Sequence, residues 1–454
     1  MTNLRTLTVI SLLTMLTGLF SQCIHNRSFT GNDPRGDQYA GAAVCANCHK
    51  DISSHYAFND HFRTSSSIDA SRLKKLLALS KGRYYFGDSS YIRMEEDSYL
   101  LFQSHFVNGQ KDRSGKFDIA FGSGEKAQTY ASWKENQLYQ LPLTWFAGFN
   151  AWANSPGFPA GHANYERVIT SRCFECHASY VSRETIQSGP LSISENLDRN
   201  SIVFGIDCER CHGPALGHVQ FHMEHPDDKT AKYITRISAL TRQQQLDVCG
   251  VCHSGNDQSP QKSLFAFTPG DTLSHYYMPE FGADNGEPDV HGKQLQLLRA
   301  SLCFKASSMT CTTCHSPHEA EENKTALFIS KCMDCHRQSV HALNIQKDNE
   351  QKKRDFNLVG PSCIDCHMPL QNSKVIHSTG WAGGPSSVTE PSEGYDRGGV
   401  RARSSDEGLQ TLDGRPNWDT LSKRPIAADK NGTGGLKNIP YLLRTHRIAI
   451  YKAN

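Results

Sequence analysis

The sequence predicts irregular structure wrapped around bound metal or cofactor groups, with a small antiparallel β insertion near residues 83–146. Three observations carry that expectation. Only 37% of the 454 residues are hydrophobic and the mean hydropathy is −0.53, so a purely apolar core would be thin. Sixteen cysteines and 21 histidines stand out in this composition. In a chain this long they point to metal or cofactor chemistry rather than to a small disulfide scaffold. Between Arg83 and Phe146, aromatic and β-branched residues recur in short runs such as Tyr84-Tyr85-Phe86, Phe117-Asp118-Ile119-Ala120-Phe121 and Gln137-Leu138-Tyr139-Gln140-Leu141. Gly-rich or charged turns divide the runs, the pattern of a β-meander. With 48 basic and 46 acidic side chains the net charge is +2, which gives no sign of a polyanion-binding surface, and no nucleic-acid partner is expected.

Residues 1–22 read as an export signal. Arg5 is a minimal positive region, and Leu7 to Phe20 is apolar but too short to span a bilayer. Phe20-Ser21-Gln22-Cys23 puts a cysteine where a bacterial lipoprotein carries its acylated residue, although Gln22 replaces the usual small residue. A lipid tether through Cys23 in the periplasm or cell envelope is the expectation.

Fourteen cysteines fall into one repeated pattern. It reads Cys45-Ala-Asn-Cys48-His49, Cys173-Phe-Glu-Cys176-His177, Cys208-Glu-Arg-Cys211-His212, Cys249-Gly-Val-Cys252-His253, Cys311-Thr-Thr-Cys314-His315, Cys332-Met-Asp-Cys335-His336 and Cys363-Ile-Asp-Cys366-His367. Composition alone would give roughly 0.03 such motifs in a chain of this length. Two thiols separated by two residues reach the two vinyl groups on one edge of a haem, and the adjacent histidine reaches the iron. Zinc also favours paired cysteines, but it has no reason to demand a histidine directly after every pair. Seven covalently attached haem c groups are therefore expected.

Fourteen further histidines are available as second axial ligands. His315 and His318 lie three residues apart and would share one face of a helical turn, so they cannot grip one iron from opposite sides. His318 would then serve a neighbouring haem. His61 follows His49 by twelve residues, about 18 Å along a continuous helix, and would also bridge to another haem. His218 follows Cys211-His212-Gly213-Pro214, whose turn could aim it likewise.

The stretches Gly205-Ile206-Asp207-Cys208-Glu209-Arg210-Cys211-His212-Gly213-Pro214 and Thr310-Cys311-Thr312-Thr313-Cys314-His315-Ser316-Pro317-His318 resemble the multihaem cytochrome family. That family includes hydroxylamine oxidoreductase, pentahaem nitrite reductase and tetrahaem electron-carrier cytochromes. Cys45 to His61 is similar to its first haem segment, and scattered motifs extend the likeness over residues 40–377, with Thr445-His446-Arg447-Ile448 beyond them. The resemblance implies a mainly α fold around stacked haems and bis-histidine ligation at most sites. Carried over by position, it implies distal ligands His61, His162, His218, His291, His318, His377 and His446. His55, His105, His222, His225, His275 and His341 form the pool from which any of them could be replaced. The domain plan that follows is a first haem segment at 40–82, the β-rich insertion at 83–146, a multihaem core at 147–377 and an irregular segment at 378–454 ending on a distal ligand.

The family's catalytic members depart from the carrier pattern. Pentahaem nitrite reductases replace one motif histidine by lysine, which no motif here does, and hydroxylamine oxidoreductases carry eight motifs, not seven. The expected function is electron transfer to and from redox partner proteins in a periplasmic or cell-envelope chain. The alternative is an oxidoreductase acting on a small nitrogen or sulfur compound at a five-coordinate haem. Cys303 is left over, and a buried inert thiol is expected there.

Overall fold

The computed structural model describes residues 33–79, 83–87, 89–147, 150–159, 161–190, 192–255, 258–278, 288–321, 324–337, 363–381 and 436–448. The signal region with Cys23, His341 and most of 378–444 lie outside the described residues.

The mainly α expectation is corrected. Of the described residues about a third are helical and about a quarter lie in strands, in several antiparallel sheets. A four-stranded meander runs Arg83–Tyr85, Ser90–Asp97, Leu100–Val107 and Gln110–Lys116. A seven-stranded sheet takes Ser65–Ser67, Ile119–Phe121, Ala127–Lys134, Gln137–Gln140, Leu143–Phe146, Ala151–Asn154 and Val168–Ile169. The β region therefore reaches beyond 83–146 on both sides. Three two-stranded ribbons follow: Ala178–Tyr180 with Val203–Phe204, Arg183–Gly189 with Ser192–Leu197, and Leu370–Trp381 with Leu436–Arg444.

Alternation along the strands explains why this region joins the motifs so closely. Successive side chains point to opposite faces of a sheet. Ala120 and Tyr130 go to a core with Leu73, Ile92, Leu101, Leu143, Trp145 and Trp152. Ile119, Phe121 and Ala131, one position away, go to a second core with Leu138, Ile169, Phe174 and Ala178. Phe174 lies inside the second C-x-x-C-H motif and is fully buried, with its ring centroid 5.1 Å from that of Phe121. One face of the sheet is thus the seat of that motif, and each fully buried side chain there contributes about 1.5–3 kcal/mol.

The motif helices are short: Ala42–Cys48, Ser171–His177, Cys208–His212, Arg242–His253, Lys324–His336 and Cys363–His367, with a 3₁₀ turn at Cys311–Thr313. Isolated helices below about 12–15 residues are marginal in water, so tertiary contacts must hold them. Caps help locally. Thr241 and Gln244 form a capping box, and the Asp207 carboxylate accepts from Arg210 N ahead of Cys208. Gly205 enters the third motif at φ 66°, where a Cβ would run into the Phe62 carbonyl, so this approach of chain to chain requires glycine.

Candidate haem sites

Residues of all seven motifs line one connected cavity of about 4760 Å³. A site for a single drug-sized ligand occupies about 300–1,000 Å³, so this space accommodates several large groups. Among the described residues no helix is long and apolar enough to cross a membrane.

Histidines meet in pairs across the cavity, and each pair joins two different segments. His49 stacks on His218 with ring centroids 6.3 Å apart and an interplanar angle of 16°. His212 stacks on His318 at 5.9 Å and 10°, and His315 on His446 at 6.1 Å and 29°. His61 and His253 are 6.1 Å apart with their planes crossed at 84°. Two imidazoles bound to one metal from opposite sides, each about 2 Å away through a ring nitrogen, have centroids roughly 6.3 Å apart. All four pairs have that spacing.

The second nitrogen of five of these eight rings, and of His177, is engaged. Nδ1 of His212 donates to Thr235 O at 2.9 Å, that of His218 to Lys232 O at 2.8 Å, and that of His61 to Asn59 Oδ1 at 3.1 Å. His253 Nδ1 meets Gln294 Oε1 at 3.2 Å, His315 Nδ1 meets Glu321 Oε1 at 2.7 Å, and His177 Nδ1 meets Thr64 Oγ1 at 2.9 Å. A hydrogen bond donated by Nδ1 fixes the tautomer that leaves Nε2 free for a metal. Burial acts in the same direction: desolvation, then the neighbouring imidazole, lowers His61 and His446 to about 4. The neutral form that results is the one a metal binds. His446 Nδ1 is buried without a hydrogen-bond partner.

The thiols report which motifs adjoin. Cys45 interacts with Cys208, Cys249 with Cys311, and Cys176 with Cys252. Cys211 acts on Cys249 and Cys252, Cys335 on Cys314, and Cys363 on Cys332. In motif order the neighbouring thiols run first to third to fourth to fifth to sixth to seventh, with the second beside the fourth. Helix contacts agree, Ala42–Cys48 meeting Cys208–His212 and Ser171–His177 meeting Arg242–His253.

Other expected ligands are placed differently. His162 is exposed and is not among the cavity-lining residues, so the structure brings it to none of the motif histidines. His291 lines the cavity, and its charged form is opposed first by burial and also by His177 and Lys126, which lower it to about 4. Among the described residues, no imidazole is stacked opposite His177. His336 and His367 line the cavity, whereas the side chains of Cys366 and His377 lie outside the described residues. His105 is not available as a ligand, because its Nε2 meets Ser90 Oγ at 2.9 Å and its Nδ1 meets Asp112 at 3.0 Å. Cys303 is half-buried on the cavity wall and acts on Cys314 and Cys332. Sequence reasoning missed the Nδ1 partners, which lie anywhere from two residues away, as Asn59 does from His61, to 113 residues away, as Thr64 does from His177, and carry no motif of their own.

Comparison with known proteins agrees with this chemistry. The sequence profile of the cytochrome c554 and c-prime family matches residues 121–213. Over 319 residues the chain is 23% identical to the dissimilatory sulfite reductase MccA of Wolinella succinogenes, covering 61% of this chain and 40% of that protein. Over 221 residues it is 25% identical to the multihaem cytochrome MtrA of Shewanella baltica, covering 47% and 56% respectively. The chain thus spans about half the length of the curated relatives it matches. The crystal structure of the outer cell wall cytochrome OcwA is similar with a TM-score of 0.43 and 18% identity, over 75% of this chain and 79% of that one. The chain is similar to multihaem cytochromes over these spans, and its second and third C-x-x-C-H motifs fall within the residues matched by the cytochrome c554 and c-prime family.

Proposed function

We propose that this chain is a heptahaem c-type cytochrome that transfers electrons in a periplasmic or cell-envelope redox chain. The observation that carries the reading is the set of four facing histidine pairs with centroids 5.9–6.3 Å apart. The two cysteines of each motif would hold the haem covalently, and the motif histidine would be its proximal ligand. His218, His253, His318 and His446 would complete the sites whose other imidazoles are His49, His61, His212 and His315, with His253 and His315 serving as the proximal members of their pairs. Bound haem supplies one-electron redox chemistry at each site. The chain's own part is to orient the imidazoles that its Nδ1 hydrogen bonds hold and, by burial, to favour the neutral form of His61, His253, His318 and His446, so that little rearranges when an electron arrives. Redox partner proteins, export and a tether through Cys23 belong to the same reading.

A second reading, an oxidoreductase of a small sulfur or nitrogen compound, is favoured by one observation. His177 faces no stacked imidazole among the described residues, and the cavity near it also contains Lys126 and His291. The name of the relative MccA, a sulfite reductase, points the same way.

The two readings separate in the reduced protein. The carrier reading predicts no appreciable carbon monoxide binding and no oxidation of reduced protein by sulfite, nitrite or hydroxylamine. One equivalent of carbon monoxide bound per chain, together with turnover of one of those compounds, would replace it by the second reading.

A further inference from the structure

Two charge clusters of opposite sign, one buried and one partly buried, lie beside different pairs of thiols. Arg35 is shared by three carboxylates: its Nε is 2.8 Å from Asp33, one Nη is 3.0 Å from Asp207 Oδ1, and the other is 2.7 Å from Asp207 Oδ2 and 3.0 Å from Glu209. Each of these four side chains is less than a tenth exposed. Glu209 also accepts from the backbone N–H groups of Ala40, Gly41 and Ala215 at 2.8–2.9 Å, an environment built for an anion. Three carboxylates against one guanidinium leave an excess of negative charge. Asp207 and Glu209 flank Cys208, and both act on Cys45, the thiol that Cys208 meets.

The balance is reversed at the second and fourth motifs. Glu175, 2% exposed, accepts from Arg172 Nη1 at 2.8 Å, and its carbonyl accepts from Arg210 Nη2 at 3.1 Å. Two guanidinium groups against one carboxylate leave an excess of positive charge. Arg172 and Arg210 both act on Cys176 and on Cys252, the pair of thiols that meet there, and Arg210, inside the third motif, also opposes Asp207 at Cys211.

We propose that these clusters set the direction of electron flow, with Asp33, Asp207 and Glu209 making the first site lower in potential than the second and fourth, which face Arg172 and Arg210, while the third site faces charges of both signs. The inference rests on the reading that haem is attached at these four motifs. Reduction of an iron site removes one positive charge, so nearby anions favour the oxidised state and nearby cations the reduced one. The acidic cluster is buried and Arg172 and Arg210 are partly buried, and mobile ions screen buried and partly buried charges weakly. Electrons arriving at the first site would therefore run through the third toward the fourth, where the fifth motif and the branch to the second also meet. Glu209 and Arg172 act here as positioning residues for charge, not as ligands.

The test is a spectroelectrochemical titration of the full-length holoprotein and its Glu209→Gln and Arg172→Gln variants, with haem counted in each sample. In Glu209→Gln the lowest-potential part of the titration shifts upward by at least tenfold in the oxidised-to-reduced ratio, 59 mV for a one-electron couple, while the higher-potential part stays in place. In Arg172→Gln the higher-potential part shifts downward. Asp33→Asn, at the edge of the acidic cluster, should move the same component in the same direction as Glu209→Gln and serves if that variant does not mature. Fully loaded variants whose titrations are unmoved, or moved with the opposite signs, overturn the inference. Wild-type protein lacking haem at these motifs would instead overturn the reading beneath it.

Discussion

Replacing His318 by alanine should convert one haem per chain from low-spin to high-spin in the ferric protein and give the reduced protein one new equivalent of carbon monoxide binding. His318 lies parallel to His212 at 5.9 Å, and Tyr56 packs edge-on against it at 6.3 Å. His212 is itself held by its hydrogen bond to Thr235, so the proximal side keeps its orientation when the distal ring is lost. Haem content should not fall, because the attachment through Cys208 and Cys211 is independent of His318. Electron paramagnetic resonance of the ferric protein and carbon monoxide titration read the change. His105→Ala is the control: both of its ring nitrogens are used by Ser90 and Asp112, and its removal should leave the haem spectrum alone. An unchanged spectrum in His318→Ala would remove His318 from the ligand set.

Arg35→Met should destabilise the fold far more than any surface charge change. The variant leaves Asp33, Asp207 and Glu209 buried without the guanidinium they share. Breaking a buried ion pair by removing one partner costs about 3–5 kcal/mol, which lowers a thermal midpoint on the order of 10 °C. The cluster ties the segment before the first motif to the helix Cys208–His212, so weakened packing between these two motifs should accompany the loss. Lys74→Ala breaks a comparable contact, 2.6 Å from Glu96, but both of its side chains are more than two-fifths exposed. There the change should stay below about 1 kcal/mol. Equal thermal midpoints for the two variants would show that the Arg35 cluster does not hold the motifs together.

How much of this was legible in the sequence depends on how local each feature is. Thioether attachment demands two cysteines and a histidine at fixed spacing, so all seven motifs can be read directly. His61 and His318 could be singled out because their spacing from a motif histidine forbids service to the same iron, and His218 because the Gly213-Pro214 turn could aim it elsewhere; the structure places each about 6 Å, centroid to centroid, from a histidine of another motif. Which motif each one meets was not legible. That depends on how short helices from four parts of the chain converge, and nothing in a five-residue motif encodes it. His162 was chosen from isolated context and stands on the surface. The mainly α expectation came from the family likeness, which rests on the motif segments. The strands between Ser65 and Ile169 and the three later ribbons lie largely between those segments. Runs such as Ile119-Ala120-Phe121 did announce strands, and here the two faces of one strand serve two different cores.

The most direct test of the central claim is the number of covalently bound haems in purified protein matured by a host competent for c-type cytochromes. Intact mass after acidic organic extraction, which removes any haem not held by thioether bonds, gives that number. Seven per chain is the result expected from the seven motifs that line the shared cavity. Four or fewer would contradict the assignment of these cysteines and histidines to haem.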